Sequence, residues 1–311
     1  MSDKLESELS LVLREIEDSG KPLKMGHLST LSDLDSASFA CFRETWSVID
    51  SSRRRELIAR LKEMSEDNIE FSFDRIFKLA LSAPGDAVRQ EAIKGLWEDN
   101  EPSLIRPLVQ LLEHDPSPQV REAAALSLRR FTLMAENQQI RNDYRTELAQ
   151  TLLNIFNNTE EEPAVRRRAL EAVAPLSLPE ITRAIWGAYR QDDPAFKSSA
   201  LYAMGQNCDL LWLPTILLEM GNELPEIRYE ASVAAGELGE PEAVPQLIDT
   251  LKSRDLELRL AAIIALGKIG GTEAKRALSL LRSDDSQAVR DAAEHALEEA
   301  ECLDEPLSPQ F

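Results

Sequence analysis

Along most of the chain an apolar residue followed by a basic one recurs: Val88-Arg89, Val120-Arg121, Val165-Arg166, Phe196-Lys197, Ile227-Arg228, Leu258-Arg259 and Val289-Arg290. The basic members stand 32, 45, 31, 31, 31 and 31 residues apart. A fixed interval of this length marks repeated supersecondary units that hide their apolar sides by stacking. Three residues after each basic anchor stands alanine: Ala92, Ala124, Ala169, Ala200, Ala231, Ala262 and Ala293. Six after it come Gly95, Ser127, Ala172, Ala203, Ala234, Ala265 and Ala296; seven after it come Leu96, Leu128, Val173, Met204, Ala235, Leu266 and Leu297. Offsets of minus one, three, six, seven and ten share one side of a helix of period 3.6. Small residues in the middle of that side let neighbouring helices approach closely.

A second helix precedes each of these. Pro107, Pro214 and Pro245 stand fourteen residues before their anchors and lead into apolar runs, as suits proline in a helix's first turn. Acidic turns such as HDPSPQ, QDDP and SDDSQ separate the paired helices, where Asp caps the following N-terminus. Gly239 and Gly270-Gly271 end two second helices. The pattern predicts an all-α fold, an α-solenoid in which helix pairs stack into a right-handed superhelix. Residues 1–35 do not fit the repeat; Leu5, Leu9, Val12, Leu13 and Ile16 predict an amphipathic helical cap there. The solenoid is expected over 36–300 and a flexible acidic tail over 301–311. The 45-residue interval carries an insertion around 132–146, read as a lengthened loop or an extended helix.

The stretches PEIRYEASVAAGELGEPEAVPQLIDTL and LELRLAAIIALGKIGGTEAKRAL resemble HEAT repeats, in particular the short-repeat subgroup named after phycobilisome lyases. The resemblance runs from about 84 to 299, and Arg54, Leu57, Ile58 and Leu61 suggest an earlier degenerate repeat. It implies that the anchor arginine pairs with an acid of its own turn: Arg121 with Asp115, Arg259 with Asp255, Arg290 with Asp285.

Composition narrows the class. Apolar residues make up 43% of the 311, enough for a continuous core. The acidic start MSDKLESELS predicts no leader, and no apolar run approaches a membrane span, so the chain reads as cytoplasmic. Cys41, Cys208 and Cys302 are too sparse for a disulfide framework and read as buried or incidental thiols. The net charge of −20 repels a phosphate backbone, and Arg53-Arg54-Arg55 and Arg166-Arg167-Arg168 read as solvated helix ends, so no nucleic-acid partner is expected.

Candidate chemistry is sparse. HEAT-type deoxyhypusine hydroxylases, a related group, imply repeated His-Glu pairs that hold two iron ions. Here His27, His114 and His295 are scattered and none precedes a glutamate. The phycobilin-lyase resemblance brings no residue set that marks a bilin site, and phosphate loops and nucleophile sets are missing. No metal, cofactor or catalytic residue is therefore expected.

The second helices carry offsets one, five and eight away from the core, on the face expected to be concave. From Tyr202 to Ile264 that face holds Tyr202, Tyr229, Val233, Leu260 and Ile264, with Gly205, Gly236 and Gly267 between them. These residues form either a smooth apolar groove for a partner or ordinary inter-helix packing. Trp97, Trp186 and Trp212 read as core filler. The sequence thus predicts a non-catalytic scaffold or adaptor that binds protein partners with basic or apolar helical segments. The alternative is an accessory subunit of a cofactor lyase or protein-modifying enzyme.

Overall fold

The computed structural model describes residues 2–302, with side chains from residue 8 onward. Among these residues every regular element is helical. The helices are α1 (Ser2–Glu17), α2 (Met25–Leu28), α3 (Ser36–Val48), α4 (Ser51–Asp67), α5 (Asp74–Ala80), α6 (Asp86–Gly95), α7 (Ile105–His114), α8 (Pro118–Glu136) and α9 (Asn142–Asn157). They continue with α10 (Pro163–Val173), α11 (Pro179–Tyr189), α12 (Pro194–Asn207), α13 (Leu213–Glu219), α14 (Pro225–Leu238), α15 (Val244–Thr250), α16 (Leu256–Ile269), α17 (Gly271–Leu280) and α18 (Gln287–Cys302). The fold is an α-solenoid of helix pairs, as its periodicity requires. The insertion takes the extended-helix form rather than the lengthened loop: α8 runs on to Glu136, and a short non-helical link leads to α9. Of the tail at 301–311, all but Glu301 and Cys302 lies outside the described residues.

Two compact units divide the chain. One reaches Phe131 and includes Ile140–Thr151 and Asn158–Val165; the other takes Thr132–Gln139, Leu152–Asn157 and the chain from Arg166 onward.

In the first unit, Leu9, Val12 and Ile16 are the buried stripe of α1. Arg53, 3% exposed, lies under the end of that helix. Its guanidinium donates to the carbonyls of Glu15 at 2.6 Å, Ile16 at 3.0 Å and Asp18 at 3.3 Å. A cation thus satisfies carbonyls that the helix terminus leaves unpaired. Arg54 donates to the Trp46 carbonyl, and in the second unit Arg166 donates to that of Phe156. These arginines are structural clamps rather than the solvated helix ends that their runs suggested.

In both units the alanines three residues after the anchors, from Ala92 to Ala293, are 0% exposed. The anchor guanidinium works differently from expectation. Its Nη1 donates to carbonyls of its own turn: Arg89 to Ala83 and Pro84, Arg121 to Asp115, Arg228 to Asn222 and Glu223, Arg290 to Asp284 and Asp285. Where the guanidinium finds an acid, that acid belongs to the next repeat's turn: Arg89 with Asp115, Arg121 with Glu161, Arg259 with Asp284. The own-turn carboxylate is occupied instead with backbone amides, as Asp255 is with Glu257 and Leu258. Arg89 and Arg121 therefore each tie one turn's backbone to its successor's side chain.

The second unit is organised around α12, α14, α16 and α18, which pack on one another in that order. The glycines of this row are a correction to the smooth-groove reading, because they are buried in the seam rather than displayed on the open face. A β-carbon at Gly205 would lie 2.8 Å from Ala234 Cα, one at Gly236 2.7 Å from Ala265 Cα, and one at Gly267 2.8 Å from Ala296 Cβ. Backbones meet there too closely for any side chain.

Candidate functional site

The row α12, α14, α16 carries the five residues singled out from the sequence. Tyr229 and Ile264 stand in solvent, 37% and 50% exposed. Tyr202, Val233 and Leu260 are half-buried between neighbouring helices. The stripe is therefore partly open surface and partly packing. The second helices α10, α12 and α14 also bring together a group of polar side chains.

That group centres on carboxylates. Glu171 on α10 is 5% exposed. It accepts from Arg168 Nη1 at 2.7 Å and, across the helix boundary, from Ser199 Oγ of α12 at 2.6 Å. Its charge is thus compensated where it stands. Glu230 on α14 is half-buried and is the less compensated partner. Burial, then the charge of Glu171, pushes its carboxyl up to about 7, against a smaller pull from Arg168. Glu230 adjoins Tyr229 in the chain, so this high-pKa carboxyl shares a helix with the exposed end of the stripe. Residues of this kind are frequent where proteins handle protons or bind cations.

Arg168, Ser199 and Glu230 occupy one register position, two after the anchor, where three other repeats hold Ala123, Ala261 and Ala292. Three successive repeats with polar residues at a position that is alanine in three others, and Glu91 in the first, were the available signal. It was missed because only the stacking of three repeats brings them together.

Other expectations divide. Trp212 is fully buried, with Nε1 donating to Asn207 at 2.9 Å, and Trp186 packs on it at 5.2 Å between ring centroids. Trp97, however, is 53% exposed and is not core. Cys41, Cys208 and Cys302 are exposed free thiols rather than buried ones. The Cys208 thiol is pushed up by partial burial and by Glu237, the reverse of an activated nucleophile. No described helix is long and apolar enough to cross a membrane.

The residues do not fit the iron set that the hydroxylase resemblance implies. His27 Nδ1 is 2.7 Å from Glu15 and links α2 to α1. His114 ends α7 with its side chain 67% exposed, and His295 on α18 is 84% exposed. Among the described residues no three of His, Cys, Asp and Glu are placed to hold a metal ion.

HEAT repeats are matched at residues 73–141 and 213–298. Nothing in the matches singles out the phycobilisome-lyase subgroup. The chain is 23% identical over 199 residues to a deoxyhypusine hydroxylase of Candida albicans, covering 58% of this chain and 63% of that protein. It is 25% identical over 202 residues to a deoxyhypusine hydroxylase of Eremothecium gossypii, covering 58% and 62%. The chain thus spans somewhat less than two thirds of the length of the curated relatives it matches. A solved complex of Kap95p with RanGDP shares the fold at TM-score 0.52 and 13% identity, over 94% of this chain and 45% of that one. Both curated relatives are enzymes. They overturn the expectation of a non-catalytic scaffold or adaptor and the answer that the chain is no enzyme, and they lend nothing to an accessory lyase subunit. Stacked helix pairs serve both binding and catalysis, so the architecture read from the repeat had no power to choose between them.

Proposed function

We propose that this chain is an enzyme of protein side-chain modification, acting on an aliphatic amine carried by a protein substrate. The support is twofold: the relatives are named for deoxyhypusine, an amine-bearing derivative of lysine, and the second-helix row offers a surface suited to such a group. A basic substrate segment is drawn by the net charge of −20. Its apolar side chains lie along Tyr229 and Ile264, the exposed part of the stripe, with the half-buried Tyr202, Val233 and Leu260 flanking them. Its amine meets Glu230.

The observation that carries this reading is the placement of Glu230. A carboxyl with a pKa of about 7 is divided between acid and base near neutrality. It is thereby suited to ionise when an ammonium is brought beside it and to hold that ammonium as an ion pair. The reaction class this donor set supports is acid–base chemistry at the amine; no step through iron follows from these side chains.

Replacing Tyr202 and Tyr229 together by Ala is the direct test of the surface. Binding of a lysine-rich peptide bearing deoxyhypusine, followed by fluorescence anisotropy, is expected to weaken by about tenfold or more with the melting temperature unchanged. Undiminished binding, or a large fall in melting temperature, would assign the tyrosines to packing instead.

A further inference from the structure

We infer that this chain does not assemble the histidine–glutamate iron centre that its kinship with deoxyhypusine hydroxylases implies, and that it engages its substrate without iron held in that way. A two-iron site needs several nitrogen and carboxylate donors converging from facing helices. The imidazoles are not distributed for that. His27 belongs to α2 and is committed to Glu15, which also lies 3.7 Å from Lys24. His114 is the last residue of α7, a first helix of its pair, and points outward. His295 alone lies on a second helix, and its nearest paired carboxylate is Glu298 at 3.8 Å on the same exposed side.

Three carboxylates of the second helices are also engaged. Glu91 on α6 is held by Lys62 and Lys94, each at 2.8 Å. Glu171 is held by Arg168 at 2.7 Å and Glu237 on α14 by Lys268 at 2.6 Å. Oxygens gripped by ammonium and guanidinium groups are poor ligands for a dication, because those cations must first be displaced and then repel it. Glu230 is not held by such a pair, yet no imidazole joins it among the described residues. The departure from the relatives therefore lies in the whole donor set and not in one substituted ligand.

This inference rests on the same kinship as the proposed function, so the experiment separates them. The full chain is incubated anaerobically with excess ferrous iron, desalted, and its iron measured by elemental mass spectrometry, alongside the triple variant H27A/H114A/H295A. Less than about a tenth of an iron per chain is expected for both, since an unbuilt site leaves only weak surface association. Retention of one or more irons per chain by the parent that the triple variant loses overturns the inference; equal retention by both places the iron away from the histidines and supports it. In parallel, binding of the deoxyhypusine peptide is measured with and without EDTA. Equal binding supports an iron-free site, and binding abolished by EDTA overturns it. Absence of peptide binding with iron also absent sinks the proposed function and the substrate clause resting on it, and leaves the missing iron centre in support.

Discussion

Arg89 and Asp115 meet in a two-pronged ion pair, with Nε 2.6 Å and Nη2 2.7 Å from the two carboxylate oxygens, although they belong to successive repeats. Asp115 is 7% exposed and also accepts from the Ser117 amide, so the pair joins a clamp between repeats to the turn that leads into α8. Removing either partner leaves a charge buried alone. R89A and D115A are each expected to destabilise by about 3 kcal/mol, and the double variant by clearly less than the sum. Urea unfolding of the four proteins in a double-mutant cycle reads the coupling directly.

The seam glycines should tolerate nothing larger. In G236A the new methyl would sit 2.7 Å from Ala265 Cα, and a loss of about 1–3 kcal/mol is expected from forcing the helices apart. Gly187 in α11 has nothing within 4 Å of an added β-carbon. G187A should therefore gain about 0.5–1 kcal/mol from helix propensity alone. Melting temperatures moving in opposite directions for the two variants would separate crowding from propensity.

Cys208 occupies the place that Gly239 and Gly270 hold in the next two repeats, with φ of 53° against 76° and 68°. A β-carbon is disfavoured in that left-handed conformation. C208G is expected to stabilise by about 1 kcal/mol in thermal or chemical unfolding.

Glu230 predicts a pH dependence of definite sign. Its folded-state pKa of about 7 lies above the ordinary 4.5, so between those values the native state binds more protons than the unfolded one. Stability contributed by this group is present below about pH 4.5 and is lost as pH rises towards 7, a fall on the order of 1–3 kcal/mol. E230Q should flatten that segment of the stability–pH curve. An unaltered slope would place the titration elsewhere.

Much of the fold was legible because a stacked repeat must hide one helical flank in every unit. The alanines of that flank were found by spacing alone, and all are buried. The partners of the arginines were not, since the sequence ties each to its own turn while the stacking brings the next turn's acid within reach. The glycines were assigned to the wrong side for a similar reason. Offset eight borders both the open face and the seam, and only the distance between α14 and α16 decides which it joins. The grouping of Arg168, Glu171, Ser199 and Glu230 spans three repeats and has no local motif. The likeness to deoxyhypusine hydroxylases was set aside because none of the three histidines precedes a glutamate in this chain.

The most direct measurement is calorimetric titration of the full chain with the deoxyhypusine-bearing peptide at pH 6 and pH 8, comparing the parent with E230Q. Parent binding that releases or takes up a proton near pH 7, and weakens by about tenfold or more in E230Q, is the predicted result. A parent that fails to bind, or an E230Q protein that binds as tightly with the same proton exchange, would contradict the assignment of this site.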